Sequence, residues 1–273
     1  MRHNLDSPTS PASSAASRKS KPTIFLFPHP DDEFAVSTLI RDRRRTGQRV
    51  LCIYLTDGGF RGQSGERREF ETIKALGLAG VPASDAVFLG RELQIPDGSL
   101  HLHLEHVFAA LLRTMPVCYE LFCPAWEGGH QDHDAAHLIA LALQRASDID
   151  LVWQFPLYHG AGLPGPFFRV MDPLPQNGPT HDRRTNFRER LWHLRFCLAF
   201  PSQWRTWLGI FPFVALHMLR DGRFQVQRTD ARRVLDDPHH GAVLYHRRKF
   251  LNQQDFRDGV AAFIDARIIG ATR

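Results

Sequence analysis

The chain has 273 residues, 43% of them hydrophobic and 23% charged, a soluble, globular composition long enough for one large α/β domain. A net charge of +5 and a pI near 9.3 fit an acidic partner, such as a phosphate-bearing substrate or an anionic membrane surface, as well as they fit a solvated basic surface; no nucleic acid is expected. Four cysteines, Cys52, Cys118, Cys123 and Cys197, form no CxxC pair, which argues against a disulfide scaffold and fits a reducing, cytoplasmic compartment.

Residues 1–21 are dominated by Ser, Pro and Ala and read as a disordered leader, without the apolar stretch of a secretory signal. Residues 22–273 read as a single α/β domain, with 161–235 as a variable substrate-shaping or accessory region. Apolar runs alternate with helical stretches as far as residue 155, the pattern of a Rossmann-like, mostly parallel sheet with helices on both faces.

The first strand, 24–27, ends in Pro28-His29-Pro30-Asp31-Asp32-Glu33, where Glu33 opens a helix over 33–45 closed by Thr46-Gly47. A strand at 49–55 delivers the polar, glycine-rich loop 56–65 to the same edge, where it is expected to wall the same pocket. A helix follows at 66–78 with Phe70, Ile73, Ala75 and Leu76 on its apolar side, then a short strand at 86–89, a loop at 91–99 and a helix at 100–114. His101, His103 and His106 in that helix read as a solvated face. A strand around 121–123 leads to Trp126-Glu127-Gly128-Gly129-His130-Gln131-Asp132-His133-Asp134, which opens another helix; His137, one turn later, reads as a packed or surface histidine rather than a ligand.

Strands of a parallel sheet present their carboxyl ends at one edge, so His29, Asp31 and Asp32 can share a crevice with His130, Asp132 and His133. Two or three imidazoles with several carboxylates are a zinc-type ligand set, and two His with one Asp satisfy a catalytic site that keeps an open position. Adjacent aspartates cannot comfortably bind one ion together, but on a turn one can ligate while its neighbour faces the attacking water.

The HPDDE of 29–33 after a strand, Thr56-Asp57-Gly58 after the next, and His130-x-Asp132-His133 opening a later helix resemble the LmbE/PIG-L family of zinc-dependent N-deacetylases. The resemblance covers roughly residues 23–155. It implies His29, Asp32 and His133 as Zn2+ ligands, Asp31 as general base, and His130 as the group that polarises the carbonyl and protonates the leaving amine. An amine anion cannot be expelled from an amide, so an acid must protonate the nitrogen, and His130, held cationic by Asp132 beside it, is suited to that implied role. It also implies an arginine at the start of the helix after the Asp57-Gly58 loop, for which Arg67 and Arg68 are both candidates. The implied substrate is an N-acetylated amino sugar of N-acetylglucosaminyl type, free or in a glycoconjugate. A zinc amidase acting on another amide, such as a thiol-conjugate, and a non-catalytic ligand-binding module on the same fold are the alternatives.

The second half is less legible. A buried strand at 150–155 leads to Pro156-Leu157-Tyr158-His159-Gly160, which places Tyr158 and His159 as candidate substrate-contacting residues; 161–184 reads as a long Pro/Gly-rich connection folding over the site, and 185–200 as a helix. Residues 204–219 are the most apolar stretch, interrupted by Pro212 and His217 and too short to span a bilayer; they read as a core or substrate-domain element, or as an interfacial patch giving peripheral contact with the inner face of a membrane. A strand at 241–246 and a closing helix at 250–264 complete the chain.

Overall fold

The computed structural model describes residues 21–59, 65–118, 120–147 and 149–270, so the leader expected at 1–21 and the centre of the glycine-rich loop fall almost entirely outside the described residues. Five strands run parallel: β1 (Thr23–Phe27), β2 (Val50–Tyr54), β3 (Ala86–Val87), β4 (Glu120–Pro124) and β5 (Leu151–Phe155). Every residue of β1, β2 and β4 is buried, as expected of strands covered on both faces. The crossovers carry α1 (Ser37–Arg45), α2 (Gly65–Leu78), α3 (Leu104–Thr114) and α4 (Gln131–Ala146).

Strand order is β3-β2-β1-β4-β5, so the chain builds outward from β1 in one direction and then restarts at β4 in the other. The turns leaving β1 and β4 therefore diverge and leave a crevice between them, the topological switch point at which open α/β sheets bind ligands. Alternate side chains of each strand feed two cores. Ile24 and Leu26 pack with Leu138 and Phe256 on one face, while Phe25 and Phe27 pack with Ile40, Phe196 and Trp207 on the other.

Beyond β5 lie a two-stranded ribbon, β6 (Tyr158–His159) with β7 (Arg169–Val170), and an edge strand β8 (Thr180–Arg184). Next come α5 (Phe187–Cys197), α6 (Trp204–Arg220), strand β9 (Arg223–Arg228) and α7 (Gln253–Phe263). β9 lies antiparallel between β5 and β8, closing the seven-stranded sheet. It was not expected, because Arg223, Gln225 and Gln227 mask a short strand whose apolar members are only Phe224 and Val226.

Other expectations are corrected here. Residues 241–246 form no strand; Val243, Leu244 and Tyr245 are buried at a one-turn helix, Leu244–Arg247, and the Leu244 N–H donates to the Gly128 carbonyl at 2.7 Å. The 161–184 connection folds over the pocket only through its first half, and its end becomes β8 at the far edge of the sheet. Phe70 is 58% exposed, because α2 turns Arg68, Thr72 and Ala75 inward and a residue two places from Arg68 points the opposite way. His101 is buried in a short turn before α3 with its ring 5.8 Å from Phe256, whereas His106 is exposed. Residues 204–220 form one helix through Pro212, and no helix among the described residues is long and apolar enough to cross a membrane.

Three buried histidines outside the crevice set an acid limit on stability. Burial pushes His137 and His159 down to about 4 and His193 to about 3, from an ordinary 6.5. As pH falls the unfolded chain takes up these protons first, so their contribution is complete above about pH 6.5 and is lost on acidification toward about pH 4. Each histidine is expected to lower stability by up to about 1.4 kcal/mol per pH unit in that window. Urea melts across the range check this, and His193→Gln should flatten the slope.

Candidate active site at the carboxyl ends of β1 and β4

The chain leaves β1 through His29 and reaches Asp31 with φ at +104°, a left-handed conformation that costs roughly 1–3 kcal/mol in a non-glycine residue. Local bonds hold it there: the Asp31 N–H donates to Glu33 Oε2 at 3.0 Å, and Arg68 Nη2 donates to Asp31 Oδ1 at 3.2 Å. The reversal points the two aspartates apart. Asp32 turns toward the histidines, with Oδ2 3.2 Å from His29 Nδ1 and Oδ1 3.2 Å from His133 Nε2, while Asp31 faces the pocket and Arg68.

α4 supplies the other half. Its first turn follows β4 after the loop 125–130, so His130 and His133 come back over the β1 turn. Ring nitrogens of His29, His130 and His133 lie within 4.8 Å of one another. His133 is 1% exposed, and apart from Asp32 Oδ1 at 3.2 Å from its Nε2 the ring has no polar partner, its Nδ1 having no hydrogen bond. A buried imidazole with so few partners is costly, and one facing a carboxylate and a second imidazole suits a metal ligand. His29 Nε2 is already engaged, 3.1 Å from Asp132 Oδ2 and 3.4 Å from Asp97 Oδ1, which leaves Nδ1 for an ion and fixes the ring as metal-binding histidines usually are fixed. His29, Asp32 and His133 thus fit a zinc-type donor set.

Two assignments change. Asp132 does not hold His130 cationic: its carboxylate accepts from Gly98 N at 2.6 Å and Leu100 N at 3.0 Å and faces His29. His130 instead caps α4, with Nδ1 accepting from the Asp132 N–H at 3.2 Å. Burial, with His29 adding to it, pushes His130 down to about 4 against the pull of Asp132, so the ring is neutral with its proton on Nε2. Of the two arginines only Arg68 reaches the site, donating to the carbonyls of Gly58 and Pro30 at 2.7 Å each; Arg67 is an exposed partner of Glu71. Arg68 shares the i, i+4, i+7 stripe of Thr72 and Ala75, a signal that separates it from its neighbour. Gly58, at φ +66°, lets this turn pass, since a Cβ there would meet Pro30 Cδ at 3.0 Å.

The carboxylates differ in charge state. Burial raises Asp31 to about 7, opposed by Arg68, whereas for Asp32 the same burial is outweighed by His133 and His29, which hold it well below the usual range. Asp97, unassigned from sequence, joins His29 to Arg68 Nη1 at 3.2 Å. Its one signal was the Pro96-Asp97-Gly98 turn following a strand. Glu127, buried and raised to about 8 by burial, accepts from the Leu157 and Tyr158 N–H groups at 2.8 Å each and so positions Tyr158, whose ring is 5.2 Å from His133. His159 does not line the pocket; its Nε2 bonds the Asp172 carbonyl at 2.8 Å.

These groups floor a pocket of about 320 Å³, in the range of small-molecule sites, with Tyr158, Phe168, Trp207 and Phe250 as aromatic walls and Arg205 and Arg248 further out. The family model described as GlcNAc-PI de-N-acetylase, PIG-L, matches residues 24–144, which span β1 to the end of α4 and contain every acidic and imidazole group of that floor. Over residues 24–144 the chain is similar to the PIG-L family. Among solved structures similar to the chain are the conserved protein TT1542 from Thermus thermophilus (TM-score 0.53, 21% identity, 76% of this chain and 94% of that one) and a deacetylase of the teicoplanin biosynthesis pathway (0.56, 17%, 76% and 98%). The N,N'-diacetylchitobiose deacetylase from Pyrococcus horikoshii is similar too (0.54, 14%, 82% and 95%). At these identities the likeness establishes the fold. No curated protein matches the sequence. The matched region stops short of Tyr158, Phe168, Trp207 and Arg248, so much of the pocket wall is contributed by chain outside it.

Proposed function

We propose that the chain is a zinc-dependent hydrolase that removes the acetyl group from an N-acetylated amino sugar of N-acetylglucosaminyl type, free or within a glycoconjugate. The observation that carries this reading is the buried cluster in which Asp32 lies 3.2 Å from both His29 Nδ1 and His133 Nε2, with a second carboxylate, Asp31, held separately beside them.

His29, Asp32 and His133 would hold the ion, which when bound supplies a Lewis acid and makes water a nucleophile near neutral pH. Asp31, its Oδ1 fixed by Arg68, takes the proton of the attacking water on its other oxygen. Neutral His130 donates its Nε2–H to the carbonyl oxygen as charge builds there. The amine nitrogen cannot leave as an anion, and Asp31, now protonated, is the acid that returns a proton to it. Asp132 and Asp97 keep the His29 ring oriented, and the aromatic walls offer apolar faces to a sugar ring.

The test is release of acetate and free amine from a panel of N-acetylated sugars, their glycosides and N-acyl thiol-conjugates. We expect turnover of the N-acetylglucosaminyl members at least about 10²-fold above a protein-free blank. Cleavage confined to thiol-conjugates would replace this reading with an amidase, and metal-loaded protein inert on the whole panel would leave a binding module.

A further inference from the structure

α5 and α6 form an antiparallel hairpin: Arg190 of α5 donates to the carbonyls of Met218 and Leu219 at the far end of α6, at 2.8 and 3.3 Å. Each helix buries one side only, α5 through His193, Phe196 and Cys197 and α6 through Trp207, Val214 and Met218. The outer sides are not polar. Phe187 and Leu191 on α5 and Leu198 just past its end, with Trp204, Leu208, Leu216 and Leu219 on α6, are each half exposed or more. Between the helices runs a groove of about 400 Å³ lined by residues such as Leu198, Phe200, Trp204, Leu208 and Phe211, with no charged side chain. A contiguous apolar surface of this kind marks an interaction site.

Its charge says what covers it. Residues 187–220 contain five arginines and a single carboxylate, Glu189, which is taken up by Arg183 and Arg41. Arg188, Arg195, Arg205 and Arg220 are exposed and, among the described residues, make no ion pair; those of this region belong to Arg41, Arg183, His217 and Arg223. Apolar ridges with a tryptophan and a collar of unpaired arginines match an interface that is apolar inside and anionic at its surface. A second copy of the same face would instead set arginines against arginines.

We propose that the α5–α6 hairpin docks the chain on an anionic phospholipid bilayer, with Trp204, Leu208, Leu216 and Leu219 entering the acyl boundary and the arginines meeting lipid phosphates. Arg205, Thr206 and Gly209 of the same helix line the catalytic pocket, so docking sets that pocket beside the headgroups. The docking itself does not rest on the deacetylase reading.

Flotation of the full chain with vesicles tests it. Wild type is expected to float with phosphatidylcholine vesicles containing phosphatidylglycerol and far less with phosphatidylcholine alone. Leu208→Asp/Leu219→Asp should reduce bound protein at least about tenfold. Arg195→Gln/Arg220→Gln should lower partitioning onto anionic vesicles by roughly thirtyfold, with thermal melting and turnover of soluble substrate unchanged; this pair carries the test if the aspartates disturb folding. Failure of wild type to float with either vesicle, or flotation of both variants equal to wild type, overturns the proposal. So does a stable dimer that Leu208→Asp/Leu219→Asp dissociates, which would assign the face to self-association. Vesicle binding is read without substrate, so its failure leaves the deacetylase reading intact, and an inert substrate panel leaves the docking intact.

Discussion

Asp31→Asn is expected to keep its metal and lower turnover by about 10³-fold, within the range that a positioned general base contributes. Asparagine has nearly the shape of aspartate and is among the residues that best tolerate a left-handed backbone, so the φ of +104° and the Arg68 contact to Oδ1 should both survive. What is lost is the carboxylate that takes a proton. Metal content per chain together with acetate release at saturating substrate separates this from misfolding. A variant that retains metal and more than about a tenth of wild-type turnover would remove Asp31 from the base role.

His133→Ala is expected to act on the metal first. The imidazole is buried with Asp32 as its one polar partner, so its removal costs the contact to Asp32 Oδ1 3.2 Å away, and the proposed donor set falls from three side chains to two. Even losing a hydrogen bond that merely supports a ligand weakens metal binding about 10–100-fold, so loss of the ligand should exceed about 10²-fold and take turnover with it. A second readout is thermal. Zinc should raise the melting temperature of the wild type, because an ion that binds only the folded state stabilises it, and should leave His133→Ala unmoved. Equal zinc stoichiometry in the two proteins would overturn the assignment of His133.

Much of the site was legible because its parts stand at sequence positions whose geometry is nearly universal. A strand followed at once by His and carboxylates delivers them to the carboxyl edge of a parallel sheet, and β1 and β4 lie side by side, so two distant motifs face one crevice. The less legible parts depended on rotation and on partners far along the chain. Arg67 and Arg68 are one residue apart but about 100° apart on the helix, and only packing of Thr72 and Ala75 decides which enters. Asp132 looked like the partner of His130 because it stands beside it, yet helix geometry points neighbouring side chains apart, and its carboxylate reaches His29 instead. Asp97 gave little signal, since burial of a loop carboxylate is a property of the whole fold. β9 was hidden by its arginine and glutamines and completes the sheet only because β5 leaves an edge to be covered.

By itself, then, the sequence determined the parallel sheet and the edge at which its histidine and aspartate motifs gather, because strand periodicity and motif position are local properties. The tertiary structure alone decided which carboxylate backs which imidazole, which arginine braces Asp31, and that 204–220 both walls the pocket and bares an apolar, arginine-fringed ridge. Those outcomes follow from helix rotation and long-range contact, and no local pattern encodes them.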